Sequence, residues 1–329
     1  MNIVFPLVAN TTGDRRYFNL LAEELKKNNC VVKIIDVSRW AEFGFLKRRK
    51  LLSQLSEYDL IHANADYGGL FKLKGTPLVL TAHHNVNDAV YNPHKNTLKH
   101  IYHRTWFRYL QKKGFALADA VIYPSVYTAK SFQREYPQYA EKGQVIVNGI
   151  DMPDYGHNVH NRVKGQILVV GTPSRRKGAD LWGDIMQELP GYNLLCVGAE
   201  GLSKSNIHFL GRVGEEELTN LYRQSEMLLS TSRLEGFGYT LVEAISQGCP
   251  VVCSGNSALA ELFADSEFGV KARDCTAESF VDAIRGLSLN MACKANVQSY
   301  GYTYVRDHYS SEKWCEEILQ CYRRVLDEF

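Results

Sequence analysis

Short apolar runs alternate with amphipathic stretches along this chain of 329 residues, and they do so in two separate series. In the first series Ile3–Val8, Val31–Val37, Leu60–Ala63, Pro77–Ala82 and Ala120–Tyr123 are strand-like, and Tyr17–Asn28 carries apolar residues at helical spacing. That series closes near Gln144–Asn148. The second brings strand candidates at Gln166–Gly171, Tyr192–Val197, His208–Leu210, Met227–Thr231 and Pro250–Cys253, with helix candidates at Gly178–Leu189, Glu215–Ser225, Tyr239–Gln247 and Ala258–Ala264. Met152–Lys164 between them is polar, rich in Pro, Gly, Asn and His, and aperiodic, as a linker is. Strands alternating with helices specify parallel sheets with helical crossovers. Two such series predict two doubly wound α/β domains facing across a cleft, the first over residues 1–152 and the second over 160–310. Ser311–Phe329 reads as one amphipathic helix with Trp314, Ile318, Leu319, Tyr322 and Leu326 on its apolar side.

Composition removes several function classes. Hydrophobic residues at 45% and charged residues at 22% fit a globular protein and exclude collagen, coiled coil and wholesale disorder. No run approaches the ~20 apolar residues of a membrane-spanning helix, and Met1–Pro6 has neither the basic nor the apolar region of a secretory signal. The eight cysteines form no Cys-x-x-Cys pair, which favours reduced structural thiols over zinc or a disulfide framework. These features predict a cytoplasmic protein. The net charge of +2 conceals an asymmetry: residues 1–150 hold 21 of the 38 basic and 12 of the 36 acidic residues. A basic half joined to an acidic half predicts different partners for the two domains.

Three motifs sit where strands meet helices. In Glu235-Gly236-Phe237-Gly238-Tyr239-Thr240-Leu241-Val242-Glu243 the glycines let the backbone approach a ligand, and the following helix offers its positive end to phosphate. Glu243, a turn into that helix, could accept paired hydrogen bonds from vicinal hydroxyls such as those of a ribose; acidic residues placed only for the helix dipole are the alternative. In Gly171-Thr172-Pro173-Ser174-Arg175-Arg176-Lys177-Gly178 three adjacent cations repel one another and the dipole, an arrangement that calls for a bound anion. A solvated charge run is the alternative. The spacing is neither that of a Walker loop nor that of a dinucleotide fingerprint. In Thr81-Ala82-His83-His84-Asn85, at a strand's C-terminal end, consecutive side chains diverge, so at most one histidine faces a given ligand. On its own residues this site fits a structural histidine as well.

Together these pieces resemble a retaining glycosyltransferase of the GT-B fold, family-4 type. The resemblance runs through Glu235 and Glu243 as a Glu-x7-Glu pair, Gly248-Cys249-Pro250-Val251-Val252, and Arg176-Lys177-Gly178 after Gly171. It continues through Phe209-Leu210-Gly211-Arg212-Val213, Asn148-Gly149-Ile150-Asp151, Ala118–Ile122 with Ser125, and His83, all in the family's order. It departs at 9–16, where the usual glycine pair is a single Gly13, and at Thr172, where an arginine is common. The resemblance implies two Rossmann-like domains, acceptor-binding and nucleotide-sugar-binding, with the last helix returning to the N-terminal domain. It further implies sugar transfer from a nucleoside diphosphate, UDP by default, to a glycan or glycolipid of cell-surface polysaccharide or lipopolysaccharide synthesis. Arg175, Arg176 and Lys177 would neutralise the diphosphate, Glu243 would hold the ribose, and backbone near Val213 would meet the base. Glu235 with the amides of Gly236, Phe237 and Gly238 would orient the sugar, and His83 would contact it near the anomeric centre. Gly13, Arg15, His84 and Asn85 would face the acceptor. No Asp-x-Asp motif occurs, so no cofactor and no essential divalent metal are expected. A catalytically inactive GT-B binding subunit and a dinucleotide-fold epimerase or dehydrogenase are the rival readings; the intact motifs oppose the first and the missing fingerprint the second.

On the acceptor side, apolar residues at 98, 101, 102, 106, 109 and 110 recur at helical spacing among Lys, Arg and His. With Arg15, Arg16 and Lys47-Arg48-Arg49-Lys50 this is the pattern of a helix at an anionic membrane surface. A core helix with a solvated charged side reads the same way. Nucleic acid is not expected, since the charge excess is modest and no such motif occurs.

Overall fold

The computed structural model describes residues 1–8, 12–38, 52–153, 162–201, 203, 205–263 and 267–329. The basic run at 47–50, the loop residues 9–11 and the linker centre at 154–161 lie outside them. The chain divides into one unit of Met1–Asp151 with Ser311–Phe329 and a second of Met152–Ser310.

In the first unit, β1 (Asn2–Val8), β2 (Val31–Val37), β3 (Leu60–Asn64), β4 (Leu78–Thr81), β5 (Ala120–Tyr123) and β6 (Gly143–Val145) form one parallel sheet. Its order is β2-β1-β3-β4-β5-β6, so the chain reverses direction across the sheet between β1 and β3. Strands β4 and β5 are buried at every position, as strands covered on both faces must be. Tyr17, Phe18, Leu21 and Leu25 of the helix Thr12–Lys27 cover one face beside Trp314, Ile318 and Tyr322 of the helix Ser311–Glu328. Phe71, Phe115, Phe132 and Tyr136 cover the other. Each fully buried Leu, Ile or Phe side chain contributes about 1.5–3 kcal/mol, so the returning helix is a main wall of this core. A hydrogen-bonded chain ties it to the sheet: Tyr322 OH lies 2.5 Å from His62 Nδ1, His62 Nε2 lies 2.7 Å from Thr81 Oγ1, and Thr81 Oγ1 lies 2.9 Å from Tyr17 OH.

The second unit holds β7 (Val163–Val170), β8 (Asn193–Val197), β9 (Ile207–Gly211), β10 (Ser225–Ser230), β11 (Val251–Ser254) and β12 (Gly269–Ala272). The order β12-β11-β10-β7-β8-β9 is that of a dinucleotide-binding sheet, with its switch point between β7 and β10. Trp182, Ile185, Phe280, Ile284 and Leu287 pack on Ile167, Leu194, Met227 and Val252. All eight cysteines are free thiols.

Three differences from the sequence reading have local causes. The helix expected over Gly178–Leu189 is a 3-10 turn, Ala179–Leu181, followed by the short helix Trp182–Gln187, because Gly178 takes a left-handed φ of 67° and Arg233 holds Asp180. The helix expected over Ala258–Ala264 is a 3-10 turn, Ser257–Glu261, since Lys271 Nζ takes the carbonyls of Ala260 and Phe263 that a longer helix needs. Beyond β12, the helices Ala277–Leu289 and Met291–Tyr309 were not expected, although Thr276 and Asn290 cap them by accepting from Ser279 N and Cys293 N.

The stretch with apolar residues at 98–110 is helical, as Thr97–Tyr102, a π-turn His103–Phe107, and Arg108–Leu117. Its side chains divide. Phe107 and Leu110 are buried, whereas Leu98, Ile101, Trp106 and Tyr109 are exposed, Leu98 at 81%.

Candidate functional site

The switch point of the second sheet gathers the donor-side residues. The chain leaves β7 through Gly171 and folds the loop 172–178 back over the end of β10. Gly178 permits this: a Cβ there would lie 2.1 Å from the Thr231 carbonyl. Thr231 Oγ1 donates to the Lys177 carbonyl at 2.8 Å and accepts from Trp182 Nε1 at 3.0 Å. Arg233, 5% exposed, grips Asp180 with both terminal nitrogens, at 2.7 and 2.8 Å, and donates to the Arg175 carbonyl at 2.5 Å. The loop is therefore strapped down from inside.

The same fold brings Lys177 and Arg176 onto Glu235. Lys177 Nζ donates to Glu235 Oε1 at 2.5 Å, and Arg176 Nη1 reaches Oε2 at 3.2 Å and the Leu234 carbonyl at 2.8 Å. Burial alone would raise the Glu235 carboxyl; Lys177 and Arg176 outweigh it and hold it down to about 2. The adjacent cations meet a carboxylate of the protein itself. Their position is also corrected: a 3-10 turn follows them, so no helix N-terminus stands there. Arg175 points to solvent and contributes its carbonyl.

Glu243, in the helix Tyr239–Ser246, accepts from Tyr222 OH at 2.9 Å. Gly238 precedes that helix at φ 127°, where a Cβ would meet Leu259 and Leu262 at 2.7 and 2.8 Å. Phe237 is buried, 5.1 Å from the Tyr239 ring and 5.8 Å from the Tyr309 ring, so only its backbone is open to a ligand. Val213 is half-buried between β9 and the helix Glu215–Gln224.

In the first unit His83 follows β4. Its Nε2 is buried without a hydrogen bond, 3.7 Å from Asp14 Oδ1, and its ring stands edge-on to Tyr17 at 4.7 Å. Burial lowers its pKa and Asp14 opposes the shift. Asp14 also accepts from Asn64 Nδ2 at 2.6 Å. Nearby Asp66 accepts from Gln111 Nε2 at 3.0 Å, while burial and then Asp14 push its carboxyl up to about 7. The other expected acceptor-side residues are placed differently. Gly13 lies in the first turn of its helix in open space, Arg15 pairs with Asp36, and His84 is half-buried. Asn85 is buried and donates to Glu135 Oε2 at 2.9 Å.

Sequence reading missed Arg233, Asp180, Tyr222, Asp14 and Asp66. Asp14 had a signal, an acidic residue in a first helical turn; the others pair across 21 to 53 positions that no spacing rule joins.

Two family models match the chain: Glycosyltransferase Family 4 over residues 22–153 and Glycosyl transferases group 1 over 157–303. Among curated relatives, an uncharacterized glycosyltransferase of Methanocaldococcus jannaschii is 26% identical, covering 82% of this chain and 76% of its own. The lipopolysaccharide glucosyltransferase WaaG of Escherichia coli is 29% identical, over 57% of this chain and 58% of its own. Among solved structures, Anabaena HepE in complex with UDP-glucose superposes with a TM-score of 0.75 at 17% identity, over 98% of this chain and all of that one.

Proposed function

The chain belongs to the family-4 type of GT-B glycosyltransferases, and we propose that it moves a sugar from a nucleoside diphosphate, UDP first, to a glycan or glycolipid acceptor with retention of anomeric configuration. The observation that carries this reading is the pairing of Lys177 and Arg176 on Glu235 at the switch point of the second sheet. A diphosphate brings more negative charge than one carboxylate and competes for both cations. As the glycosidic bond breaks, those cations stabilise charge developing on the leaving phosphate. Glu235, released from them, orients the sugar together with the amides of Gly236–Gly238, and Glu243 holds the ribose. His83, whose Nε2 lacks a hydrogen bond, contacts the sugar near its anomeric centre. The departing phosphate takes the acceptor's proton on the same face, which conserves configuration. No divalent ion is required in this scheme. HepE's complex with UDP-glucose supports the donor class, and WaaG's lipopolysaccharide chemistry supports a surface-glycan acceptor.

The exposed row of Leu98, Ile101, Trp106 and Tyr109, flanked by Lys99, Arg104, Arg108, Lys112 and Lys113, supports peripheral approach to an anionic bilayer on the cytoplasmic side. Among the described residues no helix is long and apolar enough to cross one.

The test is a thermal-shift panel of UDP-, GDP- and ADP-sugars, followed by NMR of the product linkage. A donor at 100 times its dissociation constant stabilises by about 2.7 kcal/mol. Retained configuration, and activity that survives EDTA, support the reading; an inverted product, or no shift with any donor, overturns it.

A further inference from the structure

The first unit carries an open cleft of about 470 Å³, not lined by His83, between the segment following β4, the π-turn His103–Phe107 and the helix Val126–Glu135. That volume suits a small ligand. Arg104, Arg108 and Arg134 line it, together with Asp88 and Glu135.

The two carboxylates are already satisfied. Asp88 accepts from Ser131 Oγ at 2.5 Å, from Tyr127 OH at 3.0 Å and from Val90 N at 3.0 Å. Glu135 accepts from Asn85 Nδ2 at 2.9 Å and pairs with Arg108 Nε at 3.0 Å. Among the described residues, Arg104 and Arg134 have no ion-pair partner. Lys95 stands close by: burial, and then Lys99 among the surrounding charges, lowers its ammonium to about 8, with Arg104 adding to the effect. The wall thus concentrates cations beyond what its own carboxylates neutralise, and guanidinium forks match phosphate and carboxylate oxygens in pairs.

The volume admits more than a free anion, since it is that of a small organic ligand. Asn87 ties two walls of the cleft together: its Nδ2 donates to the His103 carbonyl at 3.3 Å and to Glu135 Oε1 at 3.4 Å. Arg104 lies within the widened turn and Arg108 directly follows it, a form of backbone that recurs at functional sites.

We propose that this cleft seats an anionic sugar residue of the acceptor, its phosphate or carboxylate held by Arg104, Arg108 and Arg134. The inference rests on the transferase reading and gives its acceptor a chemical class.

Calorimetry on the full chain tests it with glucose 6-phosphate, glucuronic acid, glucose and inorganic phosphate, UDP, GDP and ADP being titrated in parallel. An Arg104→Gln/Arg134→Gln double variant alters two exposed side chains and leaves the Arg108–Glu135 pair intact. The expected result is that glucose 6-phosphate or glucuronic acid binds more tightly than glucose and than inorganic phosphate. The double variant loses that affinity more than tenfold and binds nucleotide as the parent does, and the Arg104→Lys/Arg134→Lys variant falls between them. Equal affinity for charged and neutral sugar, or for the parent and the double variant, with nucleotide still bound, overturns the cleft assignment and leaves the transferase reading standing. Failure of the parent to bind UDP, GDP and ADP alike removes the reading on which the inference rests. Phosphatidylglycerol vesicles form the last arm: vesicle binding lost in the double variant, with no sugar bound by the parent, makes the arginines a lipid-headgroup site and overturns the proposal.

Discussion

Lys177 and Glu235 stand 58 positions apart in sequence, and their side chains meet at 2.5 Å. The contact gives the two residues opposite signs toward a diphosphate. Lys177→Ala removes a charge-assisted donor and should weaken UDP binding by about 1.5–3 kcal/mol. Glu235→Gln removes the competitor, so UDP affinity should hold or rise while turnover falls. Calorimetry and steady-state rates on both variants check this; equal weakening of UDP in the two would show that the carboxylate does not compete for the cation.

Glu243 is oriented by Tyr222 OH at 2.9 Å. If that carboxylate holds the ribose, the parent should prefer UDP to its 2′-deoxy analogue, and Glu243→Ala should erase the preference. Tyr222→Phe should weaken UDP binding by about 1 kcal/mol through lost orientation. A preference that persists in Glu243→Ala would place the ribose elsewhere.

The Arg233–Asp180 fork straps the cationic loop to β10. Asp180 is 43% exposed and only the Arg233 guanidinium is buried, so Asp180→Ala, which leaves that donor without its carboxylate, should cost about 1–3 kcal/mol. Urea unfolding should show an earlier midpoint at unchanged slope, and UDP should bind less tightly to the loosened loop. Superimposable unfolding curves would mean that the strap carries no load.

Burial, with His83 nearby, lowers His62 to about 3 against an ordinary value of 6.5. The unfolded chain therefore takes up a proton that the folded chain refuses. The neutral ring's stability is fully present above pH 6.5 and is lost as pH falls toward 3, by about 2 kcal/mol at pH 5. His62→Gln does not titrate, so its melting temperature should fall less than the parent's between pH 7 and pH 5. Parallel falls would assign the acid sensitivity to other groups.

The inner strands of both sheets were legible because they are short uninterrupted apolar runs, and β4, β5 and β11 are buried at every residue; the edge strand β12, half-buried at its two middle residues, was not read. Ser257–Glu261 was misread because Lys271, a residue from the next strand, decides where that turn stops. At the donor site, the glycines and the Glu235–Glu243 spacing are local and could be read. The neutralisation of Lys177 was not, since charge counted along the chain says nothing about a carboxylate folded back from another strand. Trp106 and Tyr109 show the same limit. Helical periodicity placed them on one face, but only the packing of Phe107 and Leu110 shows that this face is left outside.

The returning helix Ser311–Glu328 has a consequence for how the protein is made. Trp314 and Tyr322 complete a core begun by β1, yet they leave the ribosome some 300 residues later. The second unit is continuous in sequence and can close as soon as Ser310 has emerged. The first unit waits, one face of its sheet open, until that helix arrives. The half of the chain that is synthesised first is thus the half that finishes folding last, and its nascent apolar face is the surface a chaperone would meet.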